Sequence, residues 1–316
     1  MDRAPMGPPG ASRRGLGRRS VAMLPPDLRK RLRRIAAGEE LPPQPAGAVQ
    51  ANVDPEPTMG EADAFLDATP VLFPRSEAGD VGQALGGSEV LGSEDDPFWL
   101  IELDLREHWP ESAARLDRLG ALLRGPADSV PDDLALAFGP DPHSLLFLDI
   151  ETGGLMGNPV FLIGGLDLPA SGPRLRFWLA RDMDEEIPLL ERFGEEWTRF
   201  RCLVTYNGKS FDVPFILDRM RLWRLMVPDP APAHLDLLHT ARRMLRYDLP
   251  NFRLKTLERH LLGRRREGDL PSDQVPEAFY EFAECRDPAI VAPILQHNAV
   301  DLVTLAELLA RFLERL

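Results

Sequence analysis

Asp149-Ile150-Glu151 closes an apolar run, Leu145 to Ile150, that suits a buried strand. Strand residues two apart face the same side, so the two carboxylates are delivered together at the strand's end. Like charges so close repel, and burial adds to the cost unless a cation stands beside them. A hard divalent ion, Mg2+ or Mn2+, supplies that charge and takes oxygen ligands. The plain alternative is a strand running out into a polar loop, and for Asp-x-Glu alone it is the commoner one.

Two further groups follow. In TYNGKSFDVPF (205–215) an apolar strand ends at Tyr206, and a polar loop leads to Asp212 near a helix start. An ordinary helix-capping aspartate fits there equally well. Lys209 in the same loop suits a phosphate or plain solvent. In His297-Asn298-Ala299-Val300-Asp301 the histidine and the aspartate are four apart, on one helix face among Ile294, Leu295, Val300, Leu302 and Leu305. A buried aspartate asks for a partner or a metal, and a histidine beside it is suited to take a proton from water. An internal His–Asp pair is the alternative.

The elements that must position these residues are readable from residue 143 onward. HSLLFLDI (143–150), VFLIGGLDL (160–168) and RLRFWLA (174–180) read as strands, the last two joined by a Pro-Ala-Ser-Gly-Pro turn. A helix is expected over 185–200, a strand over 202–207, and helices over 211–223, 234–245 and 252–263. Residues 289–316 read as one helix or a pair broken at Pro293. This order describes an α/β domain over 143–316 with a hairpin at its start and a later crossover. Residues 61–142 read as an acidic, partly ordered segment. FLDATPVLFP and DPFWLIELDL are apolar enough to lean on the following domain, and a helix over 111–125 ends at Gly125. Residues 1–60, with ten prolines and few large apolar side chains, are expected to be disordered apart from a short basic helix within 24–38.

Charge is distributed unevenly. The 316 residues carry 37 basic and 50 acidic side chains, a net −13. That argues against a surface coated in positive charge for duplex nucleic acid. Residues 1–34 carry +8, 35–144 carry −17 and 145–316 only −4, so the acidity lies mainly outside the α/β domain. Two cysteines, Cys202 and Cys285, exclude a disulfide framework and a four-cysteine zinc site. With no secretory pattern at the start, a cytoplasmic protein without a membrane partner is expected.

Strand-borne Asp-x-Glu, a strand-loop-helix Asp and a helical His-x-x-x-Asp, in that order, resemble the three motifs of the DEDD group of 3′–5′ exonucleases. LFLDIETGGL, FLIGG, LVTYNGKSFDVPFI, HLDLLHTARRM, LKTLERHLLGRRREGDLPSDQVPEAFYEF and HNAVDLVTLAELL together resemble the YprB-type ribonuclease-H-like domain of bacteria. The resemblance covers roughly residues 145–316. It implies a ribonuclease-H-like mixed β-sheet flanked by helices, and divalent-metal-dependent hydrolysis of phosphodiester bonds in single-stranded DNA or RNA. By the resemblance Asp149 bridges two divalent cations, Mg2+ or Mn2+; Glu151 and Asp301 complete the water-activating one, Asp212 holds the other, and His297 orients or deprotonates water. Thr152, Asn207, Lys209 and Phe211 are the candidate substrate contacts. Asp236 and Asp269 match family positions as a helix cap or loop partners. Lys255, Arg253 and Arg264 to Arg266 suit either a basic rim or a solvated helix end. Two departures stand out: Gly153 replaces the family's second threonine, and His297 precedes its aspartate by four residues where five is usual in histidine-bearing DEDD enzymes. They keep open a catalytically inactive module that binds nucleic acid or a repair partner. An exonuclease without an unwinding engine needs exposed single strands, which makes a helicase a reasonable partner.

Overall fold

In the computed structural model, the described residues are 69–316 apart from 75–78, 93–95, 140, 230, 247 and 267. The expected disordered arm over 1–60 lies outside them. The described residues build one seven-stranded sheet: β1 Ser88–Leu91, β2 Pro97–Asp104, β3 Leu145–Thr152, β4 Val160–Asp167, β5 Arg174–Leu179, β6 Cys202–Thr205 and β7 Ala233–Asp236. Their order is β1-β2-β5-β4-β3-β6-β7. From β1 through β3 in that order each pair of neighbours is antiparallel, while β3, β6 and β7 run parallel. This is the mixed, ribonuclease-H-like sheet the resemblance implies. It forms because Leu145 to Leu148 and Val160 to Ile163 are buried apolar runs that need cover on both faces.

The principal helices are α1 Pro110–Leu123, α2 Glu186–Trp197, α3 Asp212–Trp223, α4 Leu237–Met244, α5 Val275–Cys285 and α6 Pro288–Glu314. Long α6 packs against β3 and β4, and α1 and α5 pack against α6. It is long and apolar enough to cross a membrane by composition, and it is mostly buried inside this fold. Trp109, Trp178 and Trp197 are fully buried, and Trp178, Phe193 and Trp197 meet edge to face.

One open alternative is settled, and three elements differ from expectation. α6 is continuous through Pro293: the buried face containing Val291, Ile294, Leu295 and Asn298 carries on across the proline and outweighs one lost backbone hydrogen bond. His234 to Asp236, expected inside a helix, form β7, because pairing with Cys202 to Thr205 overrides the local spacing. The stretch 252–263 is a short helix, Leu254–Leu257, continuing into a π turn, Glu258–Leu262. Pro97 to Asp104 do more than lean on the domain, since they pair with β5 as a sheet strand.

Candidate functional site

β3, the β6–α3 connection and α6 converge on one cluster of acids. Asp149 and Glu151 leave β3 on the same side, each with a partly exposed edge. Asp212, buried at the first position of α3, accepts the Ile150 N–H at 3.2 Å, so it sits against the strand between the two β3 acids. From α6, Asn298 donates its amide to Asp149 Oδ2 at 2.7 Å. One helical turn on, Asp301 Oδ2 lies 3.6 Å from His297 Nε2. The five residues expected to carry the chemistry, Asp149, Glu151, Asp212, His297 and Asp301, therefore stand together.

Their electrostatics follow from that gathering. Burial pushes the Asp149 carboxyl well above the usual carboxylate range, and the charges of Asp301, Asp212 and Glu151 add to it. Glu151 is raised to about 8, mainly by burial; His297 opposes the shift, and Asp301, Asp212 and Asp269 add to it. Burial lifts Asp212 to about 7, against backbone hydrogen bonds that include the Ile150 N–H. Burial works against the charged form of His297, yet its bond to Asp269 and the nearby carboxylates hold its pKa above the ordinary histidine value.

Asp269 is the residue that sets His297. Its Oδ1 lies 2.7 Å from His297 Nδ1, and its Oδ2 lies 2.7 Å from Lys255 Nζ. Burial alone would raise Asp269, but the histidine, Lys255 and Arg266 together hold it well below the usual carboxylate range. Of its two expected roles, loop partner is the one the structure gives it. Asp236 takes both of its roles: it caps α4 through the Leu238 N–H, and it accepts the N–H groups of Asn207 at 2.8 Å and Lys209 at 3.1 Å. That carboxylate holds the loop before Asp212 in shape, with Asn207 at a left-handed φ of 66°.

The candidate substrate contacts separate into two groups. Asn207, Lys209 and Phe211 are exposed on the loop leading to Asp212. Thr152 is buried, and its hydroxyl is spent on Gly154 O at 2.7 Å within its own turn. Gly153 is buried as well, and a side chain there would come within 2.8 Å of Tyr280 Oη and 3.1 Å of Pro159. The space of the absent threonine is thus filled from α5. Arg264 and Arg266 form neither a basic rim nor a solvated helix end. Arg264 is buried against Glu307 at 2.6 Å, and Arg266 is buried beside Glu258 and Asp301.

Asn298 and Gly164 carry a signal that sequence reading passed over: a Gly-Gly pair inside an apolar strand marks close approach. Gly164 pairs with Asp149 across β3–β4. A Cβ on Gly164 would overlap Asn298 Oδ1 and come within 2.9 Å of Leu302 Cδ1. Gly164→Ala should therefore cost about 1–3 kcal/mol in urea unfolding, and that cost should shrink clearly in an Asn298→Ala background. An equal cost in both backgrounds would contradict the contact.

The donor set suits a hard divalent cation. It consists of carboxylate oxygens that burial and mutual repulsion leave short of positive charge. Among the described residues, no three His, Cys, Asp or Glu side chains already stand as a closed ligand set. Asn298 occupies one oxygen of Asp149, Ile150 N–H one of Asp212, and Arg266 one of Asp301.

The chain resembles known proteins over its α/β domain. The sequence model RNase_H_2, of the RNase_H superfamily, matches residues 146–313. The uncharacterized protein YprB of Bacillus subtilis (strain 168) is 34% identical over 176 residues, 54% of this chain and 42% of that protein. The match thus spans less than half the length of that relative. The family B DNA polymerase of the hyperthermophilic archaeon Pyrobaculum calidifontis aligns with a TM-score of 0.42 at 17% identity, over 52% of this chain and 24% of the polymerase chain.

Proposed function

This chain belongs to the RNase H superfamily, and from that premise we propose that it is a divalent-metal-dependent nuclease, a 3′–5′ exonuclease acting on single-stranded DNA or RNA. The observation that carries the reading is the convergence of Asp149, Glu151, Asp212 and Asp301 with His297 at one end of the sheet. Those four acids are the residues that would hold Mg2+ or Mn2+. Bound there, the ions would neutralise charge on the phosphate and lower the pKa of a water.

The chain's own groups supply the rest. His297 has Nδ1 fixed by Asp269, which leaves Nε2, on the Asp301 side, to take a proton from the attacking water. Asp269 and Asp301 then stabilise the imidazolium. Asn207, Lys209 and Phe211 offer an amide, a cation and a ring along the loop that Asp236 braces, a combination suited to the backbone and bases of a single strand.

On this reading His297→Gln should lower kcat about 10²–10⁴-fold. Activity should rise with pH as His297 loses its proton. Asp269→Asn removes the carboxylate charge that helps hold that pKa up, so the midpoint of the rise should move to lower pH. A pH–rate profile identical in wild type and Asp269→Asn would contradict the role. The reading as a whole is tested with matched DNA and RNA single strands labelled at either end, incubated with Mg2+ or Mn2+. Stepwise shortening from the 3′ end supports it; internal cuts only, or intact strands under both metals, would overturn it.

One observation favours a second reading, a nuclease fold that binds nucleic acid without cleaving it. Arg266 already occupies Asp301, Nη2 to Oδ1 at 2.5 Å. Titration with Mn2+ separates the two, because a silent site binds no ion that Asp212→Ala abolishes.

A further inference from the structure

We infer that Arg266 is the resident counter-cation of the acid cluster, holding Asp301 in the metal-free chain and releasing that carboxylate when a divalent ion binds. The inference rests on the nuclease reading and names a residue that sets how tightly the site takes its ion.

Arg266 lies in the segment between the π turn and α5. Gly263 and Gly268 bracket this segment, each at a left-handed φ of 66° that a side-chain-bearing residue adopts at a cost. Between them the chain turns Arg264 and Arg266 into the protein. The Arg266 side chain is only 6% exposed.

Its two ends are held differently. Nε is bonded to Glu258 Oε2 at 2.7 Å, and Glu258 is itself fixed by the Thr304 hydroxyl at 2.9 Å. At the other end, Nη2 lies 2.5 Å from Asp301 Oδ1 and Nη1 lies 3.7 Å from Asp269 Oδ2. Neither Nη atom has an aligned hydrogen bond. The Nε end is thus anchored by a directional bond, and the Nη end is held by charge alone.

A guanidinium does not shed its proton at working pH, so this positive charge cannot be removed by titration. An ion arriving at Asp301 meets a like charge a few ångströms away and must displace it. Because Nε keeps its partner, the exchange requires only that the fork move off Asp301. The same charge reaches past Asp301: Arg266 opposes the upward push on Asp149, as His297 does for Glu151.

The test is calorimetric titration of Mn2+ into wild type, Arg266→Met and Arg266→Lys. Removing the charge should tighten ion binding at least about tenfold, while Arg266→Lys, which keeps it, should stay within about threefold of wild type. Equal or weaker binding by Arg266→Met would overturn the inference while leaving the nuclease reading in place. No ion bound by wild type or by either variant would instead overturn the nuclease reading and the exchange with it. Should Arg266→Met fail to fold, nitrogen-15 spectra of the wild type decide. The Arg266 Nε–H signal should be protected without metal, and saturating Mg2+ should shift it. A signal unchanged by bound ion would overturn the exchange.

Discussion

Metal-free protein is expected to lose thermal stability steadily as pH rises from about 5 to 8. Glu151 and Asp212 titrate near 8 and 7 in the folded chain, whereas free carboxyls titrate near 4. A carboxyl raised in this way binds its proton more tightly folded than unfolded. Its contribution is favourable below the unfolded pKa and is lost as pH climbs through the folded one. His297, also raised, adds a loss of the same sign across its own titration. Asp269 is shifted the other way, so its contribution is lost only on acidification below the usual carboxylate range, outside this window. The combined loss is on the order of a few kcal/mol, which is roughly ten degrees in a chain of this size. Glu151→Gln and Asp212→Asn should each flatten the curve, and Mg2+ or Mn2+ should restore stability at pH 8. A melting temperature constant across the window, or one that rises in wild type and both variants alike, would contradict the electrostatic account.

Arg219→Met is expected to cost about 3–5 kcal/mol in urea unfolding, because it leaves Glu186 buried without its counter-charge. Glu186 is 1% exposed and accepts from four donors: Arg219 Nε at 2.7 Å, Arg219 Nη2, Trp223 Nε1 at 2.8 Å and the Val160 N–H at 2.8 Å. Arg219 also donates to Gly157 O at 3.0 Å. One carboxylate thus ties the start of β4 to α3, the helix that begins at Asp212, and Arg219 extends that tie to the loop after β3. Glu186→Gln should be destabilising too, and the double variant Glu186→Met with Arg219→Met should recover a clear part of the loss. A cost below about 1 kcal/mol for Arg219→Met would show that this pair is not what locks α3 to the sheet.

The acids were legible in the sequence because three local patterns, each with an ordinary alternative of its own, stand in the order that carries the resemblance. Asp149 and Glu151 follow from strand alternation, Asp212 from a strand-to-helix change, and His297 and Asp301 from one helical turn. The contacts that other residues make with those acids were not: Asp236 and Asp269 stood out only through the resemblance, and Asn298 not at all. Asp269 reaches His297 across 28 positions, Asn298 reaches Asp149 across 149, and Asp236 braces the loop at Asn207 across 29. No window of sequence contains both ends of such contacts.

Arg264-Arg265-Arg266 shows the same limit from another side. A run of three arginines looks like a surface feature by composition, and only the two left-handed glycines and the waiting carboxylates of Glu258, Asp301 and Glu307 turn two of them inward. β7 was hidden because its apolar positions are continuous with those of α4, and the strand exists through pairing with β6. Gly153 read as a missing threonine. In the fold it makes room for Tyr280 Oη, a substitution in space that the residue's own neighbours do not reveal.

Cleavage of end-labelled single strands by wild type and Asp149→Ala, purified side by side and assayed with Mg2+ and with Mn2+, bears most directly on the central claim. The account predicts progressive shortening by wild type and a loss of at least about 10³-fold in Asp149→Ala, with both proteins folded by circular dichroism. Intact strands with wild type under both metals, or undiminished cleavage by Asp149→Ala, would contradict it.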